Sequence, residues 1–297
     1  MKIDLHSHST CSDGTFSPTE LLALANKAGI DMFALTDHDS IAGLMAAKQA
    51  ADNHGIRLIH GVEISCHHSI QGGYGKNQYK SKSIHVVALN FDDVITMQHK
   101  LQALQDSREN RGRQIVLKMA DILAQQDEFS HISDDVLWQA VLAKASGNPK
   151  AVGRAHIAQV LHELGVVKTI QLAFDKYLAD NKPAYVAIDS LSINEAVELI
   201  HACGGVAVLA HPTRYGLSAT RVRRLIADFA QCGGDGCELP PPSEPISTRA
   251  MIDRCIAEHA LKVSVGSDFH GATMPWRRLG ETSTPKAEQV GIWEQFG

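Results

Sequence analysis

Short apolar runs recur along this chain, and most are followed by a segment with helical periodicity. The runs are Ile3–Leu5, Met32–Leu35, Leu58–Ile64, Ile84–Leu89, Val206–Ala210, Gly236–Leu239 and Lys262–Val265. Runs of this length predict strands, and strands that alternate with helices predict a parallel sheet, either open or closed into a barrel. About seven such units favour an α/β barrel somewhat smaller than the eight-stranded type.

Helix signals follow several of these runs. The predicted helices are Pro18–Ala28, Ser40–His54, Ser192–Ala202, Ala219–Gln231 and Ser247–His259. Ser17 is a predicted N-cap, Pro18 occupies the first helical position, and Gly29 ends that helix. These local signals fix where the first strand–helix unit begins and ends.

The alternation stops between about residues 95 and 190. Only helical patterns occur there, at Met97–Gln126, Asp134–Ala143, Gly153–Leu164 and Ile170–Asp180. We therefore predict a helical insertion, 96–190, between two parts of a barrel at 1–95 and 191–297. A second irregular piece, Cys66–Lys82, is predicted to be a long polar loop of unassigned role.

Composition excludes some classes of protein. The net charge is −5, which disfavours a general polyanion-binding surface, so phosphate recognition must depend on a few local cations. The six cysteines have no Cys-x-x-Cys spacing and are predicted to be reduced thiols. No targeting or membrane-spanning segment is recognisable, which predicts a cytoplasmic protein without membrane contact.

Potential metal ligands lie at the ends of the predicted strands. They are His6, His8, Asp13, His38, Glu63, His85, His211, Asp268 and His270. In a strand, residues two apart share a face, so His6 with His8 and Asp268 with His270 each form a potential chelate. Functional groups of α/β folds collect at the carboxyl ends of strands. Neighbouring Asp37 and Asp39 are interpreted as turn or capping residues.

Nine such groups exceed the needs of one ion and fit a cluster of two or three. Imidazole and carboxylate ligands without thiolate suit Mn²⁺, Fe²⁺ or Zn²⁺ and disfavour Ca²⁺. Clustered divalent ions polarise phosphoryl oxygens and generate hydroxide at neutral pH. Phosphate ester hydrolysis is thus the first reaction class predicted, and metal-dependent amide or lactone hydrolysis is the second.

The successive motifs resemble the PHP (polymerase and histidinol phosphatase) family. They are Asp-Leu-His-Ser-His-Ser, Ser-Asp-Gly, Thr-Asp-His-Asp, Gly-Val-Glu-Ile, Ala-His-Pro and Gly-Ser-Asp-Phe-His. The motif Gly153-Arg154-Ala155-His156 in the insertion resembles sequences in one branch of this family. That branch contains the 3′,5′-nucleoside bisphosphate phosphatases and the RNase AM-type 5′-to-3′ exoribonucleases. The resemblance implies a distorted seven-stranded (β/α) barrel with a helical insertion domain, 96–190, that covers the active site.

The resemblance also implies a ligand arrangement and a cofactor. It implies three ions, most readily Mn²⁺. One ion would be held by His6, His8, Glu63 and Asp268, a second by Glu63, His85 and His211, and a third by Asp13, His38 and His270. A metal-bound hydroxide would be the nucleophile, with no catalytic residue separate from the cluster. The sequence does not assign each ligand to an ion.

A second anion site is expected because the implied substrates carry two phosphates. Arg154, His156 and Arg214 are candidates to hold a 5′-phosphate, since a guanidinium grips phosphate bidentately. Lys182 and Tyr185 are weaker candidates, and Tyr215 is a candidate to stack on a base. The alternatives are a solvated helix face for Arg154 and His156, a surface salt bridge for Arg214, and a core aromatic for Tyr215.

The predicted function is metal-dependent removal of the 3′-phosphate from 3′,5′-bisphosphonucleosides, trimming of short 5′-phosphorylated RNA from 5′ to 3′, or both. The predicted partner is this nucleotide or RNA substrate, and no stable protein partner is implied. Two alternatives remain: a histidinol-phosphate-type phosphomonoesterase and a non-catalytic, metal-binding PHP module. Loss of ligands would indicate the second alternative, and no ligand position has been lost.

Overall fold

The computed structural model describes residues 1–72, 79–187 and 190–297. The chain divides into two compact units. Residues 1–100 and 190–297 form one, which we call the barrel unit, and residues 101–189 form the other, the helical unit. Each unit is described below by itself.

The strands belong to the barrel unit. They are β1 (Ile3–Asp4), β2 (Met32–Leu35), β3 (Arg57–Gln71), β4 (Tyr79–Leu89), β5 (Leu191–Ser192), β6 (Val206–Leu209), β7 (Gly236–Glu238) and β8 (Lys262–Ser264). Neighbours in the sheet follow the order β1-β2-β3-β4-β6-β7-β8, and β5 pairs with β3. The seven strands of the main path correspond to the seven predicted runs, which confirms the predicted α/β architecture.

The sheet is mixed, so the prediction of a parallel sheet is wrong at one strand. β4 is antiparallel to both β3 and β6, whereas the other neighbours along the main path are parallel. β3 ends at Gln71 and β4 begins at Tyr79, and so few residues can join two neighbouring strands of one sheet only when the strands are antiparallel.

Backbone hydrogen bonds join the two ends of the sheet. Leu5 N–H donates to Val265 O at 2.9 Å, and Asp268 N–H donates to His6 O at 2.8 Å. His8 N–H donates to Phe269 O at 2.9 Å. The segment that follows β1 therefore pairs with the segment that follows β8, and these bonds close the curled sheet into a distorted ring.

The helices agree with the predicted positions to within a few residues. They are α1 (Pro18–Lys27), α2 (Leu44–His54), α3 (Val94–Leu123), α4 (Asp134–Lys144), α5 (Arg154–Glu163), α6 (Ile170–Ala173), α7 (Ile193–Ala202), α8 (Ala219–Gln231) and α9 (Ile246–Glu258). Two of the predicted helices are longer than the observed ones. α2 begins four residues after Ser40, and the predicted Ile170–Asp180 helix is α6 followed by a π-helical turn at Phe174–Leu178.

The start of α1 shows how local sequence sets an element. The Ser17 hydroxyl accepts the Glu20 N–H at 3.3 Å, and the Glu20 carboxylate accepts the Ser17 N–H at 2.8 Å. This capping box satisfies two backbone groups that a helix end leaves unpaired. The apolar face of α1, with Leu21 and Leu22, then packs in a buried cluster that includes Phe33 of β2.

The prediction that Cys66–Lys82 forms a polar loop is wrong. β3 continues to Gln71 and β4 begins at Tyr79, and the two strands pair from Gly61 with Leu89 to Gln71 with Tyr79. The two strands form a long antiparallel ribbon, so polar residues here are strand residues. The part of the predicted loop at 73–78 lies outside the described residues.

The helical unit has an apolar core of its own. Its members include Ile115 and Met119 of α3, Trp138 of α4, and Ile157 and Leu161 of α5, each less than a tenth exposed. The Ser133 hydroxyl caps α4 by accepting the Val136 N–H at 3.3 Å. These contacts lie within about 90 consecutive residues, so the unit is local in sequence.

Two predictions concern the chain as a whole. All six cysteines are free, as the sequence predicts for reduced thiols. In the described part of the chain, no helix combines the length and apolarity needed to cross a membrane.

Candidate metal centre

Closure of the sheet assembles the first ligands. His6 and His8 follow β1 directly, and their backbone pairs with the segment that carries Asp268 and His270. The Asp268 Oδ1 atom lies 3.4 Å from His6 Nε2 and 3.3 Å from His8 Nε2. The two predicted chelates, at opposite ends of the chain, therefore meet at one place.

Glu63 of β3 is the centre of the cluster. Its carboxylate is fully buried and is surrounded by five imidazoles. The Oε1 atom lies 3.3 Å from His6 Nε2, 2.9 Å from His85 Nδ1 and 2.9 Å from His211 Nε2, and Oε2 lies 3.3 Å from His8 Nε2 and 2.9 Å from His38 Nδ1. A carboxylate between so many imidazoles is positioned to bridge two cations.

Asp13 is a second centre at the edge of the cluster. Its Oδ1 atom lies 3.2 Å from His270 Nε2 and 3.8 Å from both His8 Nδ1 and His38 Nε2. All nine predicted ligands are thus within one continuous network of contacts in the barrel unit.

His85 reaches the cluster by a route that the sequence does not show. It lies within β4, where its Cα pairs with Ser65 of β3. Because β4 pairs antiparallel with β3, His85 near the middle of β4 lies close to Glu63, which is near the middle of β3. The hydroxyl of Tyr215 accepts the His85 N–H at 2.9 Å and fixes the strand there.

The polar atoms in this cluster are consistent with bound cations. Seven buried ligand atoms lack a hydrogen-bond partner among the described residues: His6 Nε2, His8 Nε2, Asp13 Oδ1, His38 Nδ1, Glu63 Oε2, His85 Nδ1 and His211 Nδ1. Each buried polar atom without a partner costs about 1–3 kcal/mol. Seven of them converging on a small volume would be a large cost for the fold, and divalent cations would remove it.

Four sets of side chains have ligand atoms within 4.8 Å of one another. The sets are His8 with Asp13, His38 and His270; His6 with His211 and Asp268; His6 with His8 and Glu63; and His38 with Glu63 and His85. They include all nine predicted ligands. They differ from the implied grouping in three places, since His8 also approaches Asp13, His211 approaches Asp268, and His38 approaches Glu63 and His85.

The electrostatics keep the carboxylates ionised. Burial raises the pKa of Glu63, but His85, His38 and His6 outweigh it and hold that pKa well below its usual range. Burial likewise opposes ionisation of Asp13, and His270 and His38 reverse the effect, so its pKa is also well below normal. Ionised carboxylates are the form that binds a cation.

The pKa values of His8 and His38 are shifted in opposite directions. Burial lowers the pKa of His8, but Asp268 and Glu63 outweigh it and raise that pKa to about 10. At His38 burial prevails over Glu63 and Asp13, and the pKa falls to about 4. His38 is thus already neutral, whereas a cation must displace a proton from His8.

Glu238 is a functional residue that sequence reasoning missed. It is the last residue of β7, and its buried Oε2 lies 2.6 Å from His6 Nδ1. A carboxylate on the far nitrogen of a ligating imidazole fixes the tautomer and orientation of the ring. The signal in the sequence was an acidic residue at the end of an apolar run.

Asp37 and Asp39 support the ligand loops, as their interpretation as turn residues predicts. Asp37 accepts hydrogen bonds from Ser9 N–H at 2.7 Å and Ser12 Oγ at 2.6 Å. Asp39 accepts the Ser65 N–H at 2.7 Å and has a positive φ of 50°. A positive φ is strained for residues other than glycine, so these bonds hold a strained loop in place.

Two arginines border the cluster in the barrel unit. Arg214 Nη1 donates to Asp268 Oδ2, and its Nη2 is buried without a partner among the described residues. Arg277, which sequence reasoning missed, donates from Nη1 to Ser267 O at 2.7 Å. Burial and then the Arg214 guanidinium lower the pKa of Arg277.

Among the other predicted substrate contacts, Tyr215, His156 and Arg154 have structural partners. The Tyr215 hydroxyl donates to Ala210 O at 3.0 Å, and its ring lies against His211. In the helical unit, His156 is buried and its Nδ1 accepts the Gly153 N–H at 3.1 Å, which caps α5. Lys182 is exposed. Arg154 is partly buried at the first position of α5.

The PHP domain profile matches residues 4–181 of the sequence. The chain belongs to the PHP family. Relatives extend over its full length. A 5′-3′ exoribonuclease from Haemophilus influenzae is 38% identical and covers 99% of each chain. A 3′,5′-nucleoside bisphosphate phosphatase from Chromobacterium violaceum is 34% identical, over 99% of this chain and 96% of the relative.

Solved structures agree with this assignment. An amidohydrolase from Chromobacterium violaceum, determined with bound sulfate and no metal, superposes with a TM-score of 0.83 at 32% identity, over 100% of this chain and 96% of that one. A protein from Bifidobacterium adolescentis described as a metal-dependent phosphoesterase gives 0.76 at 29% identity, over 96% and 92%. The predicted family, fold and hydrolase class are confirmed, and divalent metal binding is supported.

Proposed function

We propose that this chain is a metal-dependent phosphoesterase that removes the 3′-phosphate from 3′,5′-bisphosphonucleosides and trims short 5′-phosphorylated RNA from its 5′ end. The observation that supports this most is the intact set of nine ligands, with buried ligand atoms that lack partners, in a chain that aligns over its full length with relatives bearing these two names.

The ligand chemistry favours two or three divalent ions, and we propose Mn²⁺, with Fe²⁺ or Zn²⁺ as alternatives. We propose Glu63 as the bridging ligand because its two oxygens approach different imidazoles. Bound ions would polarise the phosphoryl oxygens and supply a hydroxide nucleophile at neutral pH. This chemistry needs no separate catalytic side chain.

The protein's own groups would hold the substrate and stabilise charge. Arg214 has a buried N–H beside Asp268 that lacks a partner among the described residues, and Arg277 donates to the carbonyl of Ser267, the residue before Asp268. We propose that this pair donates to phosphoryl oxygens as negative charge develops on them, because guanidinium donors are strongest where water is excluded. Arg154, His156 and Lys182 remain proposed contacts for the second phosphate.

The experiment compares three substrates with the Mn²⁺-loaded protein. They are a 3′,5′-bisphosphonucleoside, the same nucleoside with only a 3′-phosphate, and a short 5′-phosphorylated RNA. We expect hydrolysis of the first and stepwise release of mononucleotides from the third. We expect the second to react with a kcat/KM that is lower by about 10- to 100-fold, because one charged contact is lost.

The controls separate the alternatives. Protein treated with a chelator should be inactive on all three substrates and should recover when Mn²⁺ is added. Equal kcat/KM with and without the 5′-phosphate would contradict the second anion site. Faster hydrolysis of histidinol phosphate than of any nucleotide would favour the monoesterase alternative, and no turnover of any of these substrates by the metal-loaded protein would favour a non-catalytic module.

A further inference from the structure

A tight turn in the barrel unit presents a large aromatic side chain to solvent. Trp276 is 72% exposed, although tryptophan side chains are highly buried on average. It lies with Pro275 at the two central positions of a turn in which the Arg277 N–H donates to Met274 O at 2.9 Å. Proline at the first central position has a preset backbone angle that suits such a turn. The turn therefore holds the indole outward in a defined orientation.

Polar contacts fasten this turn to the loop that carries the candidate ligand Asp268. Arg277 Nη1 donates to Ser267 O at 2.7 Å, and Ser267 directly precedes Asp268. The Ser267 N–H donates to Asp4 Oδ1 at 2.9 Å, and the other oxygen of this fully buried carboxylate accepts the Gly280 N–H at 2.7 Å. The segment that contains the turn is thus tied on both sides of the indole to the backbone beside the ligand.

A small cavity lies between this turn and the loop that follows β7. Its lining includes Pro241 and Pro242 of that loop, Trp276 of the turn, and Ser267. The cavity has a volume of about 70 Å³, whereas pockets that enclose a whole small ligand have volumes of about 300–1,000 Å³. A ligand at this place must therefore lie mainly on the open face that the indole and the cavity form.

The charge of this surface suits a phosphodiester chain. Arg277 and Arg278 line the cavity together with one carboxylate, Glu281, so its described side chains carry a surplus of one positive charge. The Nε atom of Arg277 is buried and lacks a hydrogen-bond partner among the described residues. Proteins that bind single-stranded nucleic acid without reading its sequence combine exposed aromatic rings with cationic side chains in this way.

The two proposed substrates differ in what is attached to the phosphate that is attacked. In both, water adds to the phosphorus, the bond to the 3′ oxygen breaks, and that oxygen leaves with a proton. In a 3′,5′-bisphosphonucleoside the phosphate is terminal and is released as inorganic phosphate. In RNA it remains attached to the next nucleoside as its 5′-phosphate. RNA therefore has one more nucleoside to place directly beyond the metal ligands.

We propose that Trp276 and the cavity beside it bind the nucleoside that follows the attacked phosphate, with its base stacked on the indole. The proposal rests on the proposed function, because it assigns a place to one part of the RNA substrate. Arg277 and Arg278 supply donors to the phosphates of the same strand. Every base has a flat aromatic face, so this subsite favours RNA over free bisphosphonucleosides without selecting a sequence.

The kinetic experiment uses the Mn²⁺-loaded protein and two substrates that share their first residue. They are adenosine 3′,5′-bisphosphate and the 5′-phosphorylated dinucleotide with one further adenosine. Trp276→Ala should lower kcat/KM for the dinucleotide by about 5- to 150-fold relative to that for the bisphosphate, the effect of one base stacked on an aromatic ring. The loss should appear in KM, because stacking holds the substrate equally before and during the reaction.

Further variants separate stacking from apolar contact. Trp276→Phe keeps an aromatic face and should recover most of the loss, whereas Trp276→Leu keeps only apolar volume and should not. Ile246→Ala is the matched control, because Ile246 is 89% exposed at the start of α9 and does not line the cavity. All four substitutions are at exposed positions and should leave the Tm close to the wild-type value.

Calorimetry with the chelator-treated full chain measures binding without turnover. The ligands are the same dinucleotide and a dinucleotide of equal charge whose second residue lacks its base. We expect the wild-type protein to bind the complete dinucleotide more tightly and Trp276→Ala to bind the two alike.

The outcomes separate this subsite from the proposed function. Equal loss of kcat/KM for both substrates in Trp276→Ala, full recovery by Trp276→Leu, or equal affinity of the wild-type protein for the two dinucleotides would overturn the subsite. If the metal-loaded protein hydrolyses neither the bisphosphate nor the dinucleotide, the proposed function fails. The calorimetric comparison then still decides whether a base stacks on Trp276.

Discussion

The barrel unit and the helical unit have centres of different kinds. The barrel unit brings six histidines and three carboxylates together in the ligand cluster. The residues that meet there are far apart in sequence, and His211 and Glu63, for example, are separated by 148 positions. The helical unit packs aliphatic and aromatic side chains from neighbouring helices. One centre depends on charge compensation and long-range pairing, and the other on local apolar burial.

This difference implies that the two units respond to different perturbations. Removal of a ligand should leave the helical core unchanged, because no member of the cluster belongs to residues 101–189. Removal of apolar volume from the helical core should leave the ligand set unchanged. Three substitutions test this separation.

The largest effect is expected for Glu63→Gln. The amide removes the central negative charge and can present an N–H group to imidazoles that need an acceptor or a cation. We expect kcat/KM to fall by about 10³-fold or more, equivalent to about 4 kcal/mol, and the metal content to fall by at least one ion per chain. Elemental analysis and kinetics with a bisphosphonucleoside measure both. Wild-type metal content with a wild-type rate would refute the central role of Glu63.

Leu161→Ala is the corresponding test in the helical unit. Leu161 is fully buried in the apolar core, and loss of a buried leucine side chain costs about 2–5 kcal/mol of unfolding free energy. Urea denaturation should show the loss, while metal content stays at the wild-type value. Leu164→Ala, at a position 36% exposed, is the control and should cost much less. A parallel loss of metal would show that the two units depend on each other.

The smallest effect is expected for Glu238→Gln. The change keeps the shape of the side chain next to His6 and removes its charge. Supporting residues of this type typically contribute 10- to 100-fold to metal affinity or activity, about 1.4–2.8 kcal/mol. Titration of the apoprotein with Mn²⁺ measures the affinity, and Glu258→Gln, at an exposed position of α9, provides the control. Unchanged affinity would mean that Glu238 only fills space.

Local signals made most of the fold predictable. Ser17, Pro18 and Gly29 identify α1 because capping and chain termination act over a few residues. The β3–β4 ribbon was missed because its outer part, including Tyr79 and Lys80, is polar and partly exposed on both faces. The alternation of apolar and polar residues that predicts a strand with one buried face is therefore absent from its sequence. The ribbon is defined by the backbone pairing of its two strands.

The candidate ligands were recognisable because strand ends and residue chemistry are both visible in a sequence. The residues that hold the ligands in place were not recognisable in the sequence. His6 and Glu238 are 232 positions apart, and only the closed sheet brings them to 2.6 Å.

The pairing of the segment after β1 with the segment after β8 has a consequence for synthesis of the protein. His6 leaves the ribosome long before Asp268, and at translation rates of about 5–20 residues per second the delay is roughly 10–50 s. During that interval the nascent chain holds histidines without the carboxylate that should complete their ion. A growing or prematurely terminated chain therefore lacks the complete ligand set, so the ability to cut phosphate esters would arise only once the last strand is in place.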